Sequence, residues 1–216
     1  IAPWNYPFQL ALYPLISAVA AGNQVVVKPS ELTPKTSEII VKIIHKVFDK
    51  NHVEVVEGGI EVSQKLLSER WDYIFFTGSV AVGKIVAKAA AKNLTPVTLE
   101  LGGKNPCIID ETANLKLAAK RIVWGKFVNA GQTCIAPDYI LIQKNMKKHF
   151  VNFLKEEITK AYGENPEESP DFARIINAKN WQRLVALIEP EKVVFGGESN
   201  PKDNYISPTL VEETSL

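Results

Sequence analysis

A cysteine set among small and polar residues is the first feature able to do chemistry. Cys134 lies in Asn129-Ala130-Gly131-Gln132-Thr133-Cys134-Ile135-Ala136-Pro137-Asp138, directly after a helical pattern and inside a small-residue loop. That setting suits an accessible, reactive thiol. Cys107, in Pro106-Cys107-Ile108-Ile109, has the apolar surroundings of a packed core cysteine instead. Glu100 stands in Leu99-Glu100-Leu101-Gly102-Gly103-Lys104, a carboxylate at an apolar strand end with two glycines opening space beside it. Partial desolvation there makes it a usable base near neutral pH, and the plainer alternative is a rim carboxylate paired with Lys104. Asn5, bracketed by prolines and aromatics in Pro3-Trp4-Asn5-Tyr6-Pro7, is either a turn-former or a rigidly aimed donor to a developing oxyanion. No metal site is expected: there is no CxxC, and His45, His52 and His149 lack ligand spacing.

Two further groups bear on an anionic or sugar-bearing ligand. Gly78-Ser79-Val80-Ala81-Val82-Gly83 sits between a strand pattern and an alanine-rich helix pattern, without a G-x-G-x-x-G fingerprint. A helix starting there offers free N–H groups and a positive dipole end to a pyrophosphate, with the Ser79 hydroxyl added; the alternative is an ordinary turn. Lys28 and Glu31, three apart after another strand, either belong to a solvated loop or together hold the two hydroxyls of a ribose. A carboxylate at that place disfavours a 2′-phosphate, the usual basis for preferring NAD over NADP.

These residues need a frame, and the pattern supplies one. Helical and β-branched segments alternate: a buried helix at 8–21, strand 24–28, a helix opened by Thr33-Pro34, strand 53–57, helix 62–70, strand 73–76, helix 80–92 and strand 97–101. Such alternation predicts an α/β fold with a Rossmann-like parallel sheet, whose ligands gather at the carboxyl ends of the strands. After Lys104 the alternation loosens: strand 106–109, helix 116–129, a loop at 131–138, strand 139–143, a long helix 146–162, a helix near 178–188 and strands at 193–195 and 205–211. The predicted division is residues 1–104 as a cofactor-binding domain and 105–216 as the first part of a catalytic domain.

Bulk properties exclude more than they assign. A net charge of +1 over 216 residues points to neither nucleic acid nor an anionic membrane surface. No apolar run is long enough to span a bilayer; the richest, 8–21, is broken by Gln9, Pro14 and Ser17. Two cysteines fit a reducing compartment, so a cytoplasmic location is expected.

PWNYP (3–7), KPSELTP (28–34), FTGS (76–79), LELGGK (99–104) and NAGQTCIAPDY (129–139), in this order and at these separations, resemble the aldehyde dehydrogenase superfamily. GQTCIAPDYIL and KNLTPVTLELGGK are most similar to its class 3 branch of medium-to-long aldehyde oxidisers. The resemblance implies that Cys134 is the catalytic thiol and Glu100 the general base. It also implies that Asn5 shares the oxyanion hole with the Cys134 N–H, that Lys28 and Glu31 contact the adenosine ribose, and that Gly78, Ser79 and Gly83 lie at the turn and helix start over the pyrophosphate. The reaction implied is oxidation of an aliphatic or aromatic aldehyde to its acid through a thioester, with NAD as cofactor and NADP as a second candidate. Two rivals remain: an acylating dehydrogenase, against which Glu100 argues, and a truncated, non-catalytic cofactor-binding relative.

By the same resemblance the chain is expected to be an internal piece. Full members carry a segment ahead of PWNYP that supplies the first strand, a later segment with a nicotinamide-ribose motif, and a hairpin for oligomerisation, commonly into a homodimer. A membrane anchor, if the whole protein has one, is expected beyond Leu216. A sheet short of its first strand is expected to show an unprotected edge or a gap.

Overall fold

The computed structural model describes residues 1–213 and divides into two compact units, Ile1–Gly102 and Gly103–Leu216. The last three residues of the predicted catalytic part lie outside the described residues. In the first unit, helices α1 (Gln9–Ala20), α2 (Pro34–Val47), α3 (Ile60–Ser68) and α4 (Val80–Ala91) alternate with strands β1 (Val25–Val27), β2 (Val53–Val55), β3 (Ile74–Gly78) and β4 (Val97–Leu101). Strand β1 pairs in parallel with β2, Val27 opposite Val55, and β3 in parallel with β4, Gly78 opposite Leu101. The fold is α/β with parallel strands.

Ile1 and Ala2 link the two pairs. The Ile1 amino group donates to Phe75 O at 2.8 Å and its carbonyl accepts from Thr77 N at 3.2 Å, the parallel pattern around Phe76. On the other side Ala2 N donates to Lys28 O at 2.9 Å. These two residues therefore lie between β1 and β3, giving the order β2, β1, residues 1–2, β3, β4. Below them a cavity of about 1280 Å³ separates the two pairs, with Val25, Val27, Tyr73 and Phe75 among its walls.

Packing follows from i, i+4 pairs. Ala11 and Leu15 of α1 and Ile40 and Ile44 of α2 meet Val27, Val53 and Val55 of the β1–β2 pair in one cluster. On the other pair, Ile74 and Phe76 are covered by Val86 and Ala90 of α4. Removing each of the Val, Leu, Ile and Phe side chains among these from water contributes roughly 1.5–3 kcal/mol. The all-round burial expected of the first helix is not found: Tyr13 and Ile16 are about 60% exposed. Its residues are apolar on nearly every side, so nothing in the pattern specifies which stripe the protein covers.

In the second unit β5 (Asn105–Ile109) pairs in parallel with β6 (Pro137–Ile142), joined by α5 (Leu115–Phe127) and a 3₁₀ turn, Val128–Gly131. Helix α6 (Lys144–Tyr162) follows, then α7 (Ala178–Val185) and a 3₁₀ turn at Pro190–Lys192. Among the described residues four short strands follow: β7 (Val193–Phe195), β8 (Ser199–Asn200), β9 (Tyr205–Ile206) and β10 (Leu210–Val211). Ile122 and Val123 of α5 and Phe150, Leu154 and Ile158 of α6 bury against Ile109. The single strand expected at 205–211 is two: β9 pairs antiparallel with β8, and β10 antiparallel with β7. Pro208 between them has no N–H to continue a ladder. No helix of the described residues is long and apolar enough to cross a membrane.

Candidate active site

The carboxyl edge of the first unit's strands gathers most of the residues singled out by the sequence. Asn5 follows the central segment 1–2, Lys28 follows β1, Gly78 ends β3, and Glu100 stands in β4 opposite Thr77. Cys134 belongs to the second unit.

Lys28 and Glu31 are brought together. Lys28 Nζ donates to Glu31 Oε2 at 2.7 Å, and Lys28 is only 3% exposed. Burial works against the Glu31 charge, yet the Lys28 hydrogen bond, a backbone amide and the Lys28 charge together hold its carboxyl below the usual range. Beside the pair lies a cavity of about 200 Å³ walled by Pro29, Ser30, Glu31, Pro34, Glu57 and Gly58. Thr33, at the N-cap of α2, makes no side-chain capping bond; its hydroxyl donates to Ser30 O at 3.4 Å.

Ser79 caps α4, its Oγ accepting from Val82 N at 3.3 Å. Gly78 and exposed Ser79 therefore stand at the positive end of a twelve-residue helix, directly after a parallel strand. Gly83 does not share that open end. It is buried in the first turn of α4, where a Cβ would come within 2.8 Å of Leu101 Cδ2. Its missing side chain lets α4 approach β4, a packing requirement that the spacing alone does not reveal.

Glu100 is exposed, so the desolvation expected of it is not provided by its neighbours here. Nor does it take Lys104 as its partner: Lys104 Nζ lies 3.1 Å from Asp138 Oδ2. Lys126 Nζ shares the same carboxylate at 3.7 Å; burial lowers its pKa, and the neighbouring Lys104 charge adds to this against the pull of Asp138. Asn5 Oδ1 accepts from Tyr6 N at 3.2 Å, which fixes the amide on its own turn.

Cys134 is a free, half-buried thiol, and the next residue, Ile135, is 81% exposed. It occupies the second position of a turn closed by Ala136 N donating to Thr133 O at 3.2 Å. The backbone leading in is left-handed over three residues, Asn129 (φ 54°), Ala130 (φ 51°) and Gly131 (φ 77°). Two carboxamides anchor this loop. Gln132 donates from Nε2 to Asn129 O and Arg174 O, each at 3.0 Å, and accepts from Ile176 N at 3.0 Å. Asn105 Nδ2 donates to Cys134 O at 2.8 Å and Ala136 O at 3.0 Å. Cys107 packs partly buried against the second unit's core, and burial pushes its thiol pKa up. Both thiols are free and half-buried; what differs is the setting, a strand packed on the core for Cys107 and an anchored turn for Cys134. Among the described residues no group of three or more His, Cys, Asp or Glu is placed to hold a metal ion.

Residues 1–215 match the aldehyde dehydrogenase family. The chain belongs to that family. It is 52% identical to 4,4'-diaponeurosporen-aldehyde dehydrogenase of Staphylococcus aureus, over all of this chain and 47% of that protein. It is 50% identical to aldehyde dehydrogenase family 3 member A2 of Pongo abelii, over 99% of this chain and 44% of the relative. With the dimeric NADP-preferring aldehyde dehydrogenase of Canis lupus familiaris it shares 47% identity, over 98% and 47% of the two lengths. The class 3 branch is thus the one its motifs and relatives share.

Among solved structures, the substrate-bound state of Staphylococcus aureus AldH superposes with a TM-score of 0.93 at 51% identity, over 99% of this chain and 47% of that one. A Mycobacterium tuberculosis aldehyde dehydrogenase complexed with NAD+ superposes at 0.86 and 32% identity, over 96% and 45%. The chain therefore spans a little under half the length of the family members it matches. Within this aldehyde dehydrogenase chain, Asn105 and Gln132 were not singled out by their sequence positions. Asn105 gains its backbone partners through the pairing of β5 with β6, and Gln132 gains two of its partners from the return of residues 174–176.

Proposed function

We propose that the protein oxidises an aldehyde to a carboxylic acid through a thioester on Cys134, with NAD or NADP as the electron acceptor. The observation that carries this is Cys134 itself: a free thiol, partly exposed, on a turn anchored from both sides, in a chain matched to the aldehyde dehydrogenase family along its length. The parallel-strand edge suits the cofactor. Gly78 and Ser79 at the start of α4 would face its pyrophosphate, and the Lys28–Glu31 pair its adenosine ribose. When bound, the nicotinamide accepts two electrons as hydride from the substrate carbon. A carboxylate in the Glu31 position favours NAD, while the NADP-preferring relative argues that both dinucleotides are accepted.

The chain's own residues do the rest. The Cys134 sulfur adds to the aldehyde carbon, and the oxygen gains charge that the Cys134 N–H and the Asn5 amide stabilise. Once the carbon is oxidised, the acyl group remains on sulfur as a thioester. Glu100 takes a proton from water as its oxygen attacks the acyl carbon; the C–S bond breaks, the acid leaves and the thiolate is regenerated. An exposed Glu100 has the access to water that this step requires.

Single-turnover NADH formation with a medium-chain aldehyde tests the scheme in the full-length protein. Wild type should give a burst followed by steady turnover. Cys134→Ala should bind NAD yet form no NADH, and Glu100→Gln should give about one equivalent of NADH per site and then stall with the acyl group still on the protein. Undiminished turnover by Cys134→Ala would refute the proposal.

A further inference from the structure

We infer that Asn105 is a positioning residue for the Cys134 nucleophile, an inference that rests on the function proposed above. Cys134 is flanked by two peptide groups, and both are fixed. The one on its amino side is held through Thr133 O, which accepts from Ala136 N at 3.2 Å. Because the N–H of Cys134 lies in the same plane, opposite that carbonyl, anchoring Thr133 O aims the Cys134 N–H. The peptide on the carboxyl side is held through Cys134 O, which accepts from Asn105 Nδ2 at 2.8 Å. The same nitrogen donates to Ala136 O at 3.0 Å, so one amide group closes the turn across its open side. With both neighbouring peptides tied, the backbone torsions of Cys134 are set, and with them the direction of its Cα–Cβ bond.

Asn105 is well placed to do this. It is the first residue of β5, opposite Pro137 of β6, so its own backbone is held by the parallel pair. Room for the clamp comes from Gly103, where a Cβ would fall 3.0 Å from Asn105 Oδ1 and 3.1 Å from Cys134 O. The restraint is needed because the entering backbone is left-handed at Asn129, Ala130 and Gly131, a course the chain keeps only where the surroundings impose it.

Positioning and mere folding support separate in kinetics. Aldehyde addition needs sulfur and N–H aligned together on one carbonyl, whereas alkylation by iodoacetamide needs only an accessible thiol. In the full-length protein Asn105→Ala should lower the single-turnover rate of NADH formation by about 10-fold to 100-fold. Its rate of Cys134 alkylation should change by no more than about threefold, with the KM for NAD unchanged; Asn105→Ser, which keeps one donor, should recover part of the rate. An unaltered single-turnover rate in Asn105→Ala would overturn the inference, as would a fall matched by equal losses in alkylation and in folded fraction in both variants. Failure of the underlying function would look different, since wild type itself would then form no NADH in a Cys134-dependent burst.

Discussion

Asn5 follows the two residues that bond to both strand pairs, and its own Oδ1 accepts from Tyr6 N at 3.2 Å, so backbone and side chain both hold it in place. A donor on so firm a base loses little by reorganising when charge develops on a substrate oxygen. Asn5→Ala is expected to lower kcat by two to three orders of magnitude, since an oxyanion donor contributes roughly 3–4 kcal/mol. Steady-state kinetics with the full-length protein decide it: a near-normal kcat would remove Asn5 from the scheme. At the same edge Lys28 is a buried cation held by one carboxylate. Its amine is therefore oriented before any ligand arrives, which is the property a ribose-binding group needs.

At the scale of elements, strand ends and one loop decide where chemistry is placed. The first unit presents residues at the carboxyl ends of β1, β3 and β4, as parallel sheets do. Cys134 departs from that rule: it precedes β6 and so lies at the amino end of the β5–β6 pair. The 3₁₀ turn delivering it depends on Gly131, whose φ is 77° and whose Cβ would sit 3.1 Å from Lys126 O. Gly131→Ala should cost about 1–2 kcal/mol for the left-handed backbone alone. Thermal unfolding should show this as a Tm lower by roughly 2–8 °C, and an unchanged Tm would mean that the loop is not held in this conformation.

For the whole molecule, burial assigns a separate core to each compact unit. Ile40 and Ile44 are essentially inaccessible in the first, Phe150 and Ile158 in the second. Ile40→Ala should destabilise by about 2–5 kcal/mol, because the site is enclosed by α1, β1 and β2 and cannot collapse freely. Hydrogen exchange should then quicken at the amides of β1, β2 and α2, and unchanged protection there would contradict this description of the core.

Composition and period alone determined the α/β class, the order of most elements and the residues worth suspecting, because alternation of 2.0 and 3.6 periodicities and the chemistry of Cys, Glu and Lys side chains are local properties. They also set Cys134 and Cys107 in different local sequences, although both thiols end half-buried. Tertiary structure decided what depends on residues distant in sequence. Gly83 became a packing residue because Leu101 lies against it, Lys104 took Asp138 rather than Glu100, and the stretch 205–211 split between two partner strands around Pro208. The clamp on Cys134 belongs to the same class: Asn105 lies 29 residues away, and only the pairing of β5 with β6 brings its amide to the turn.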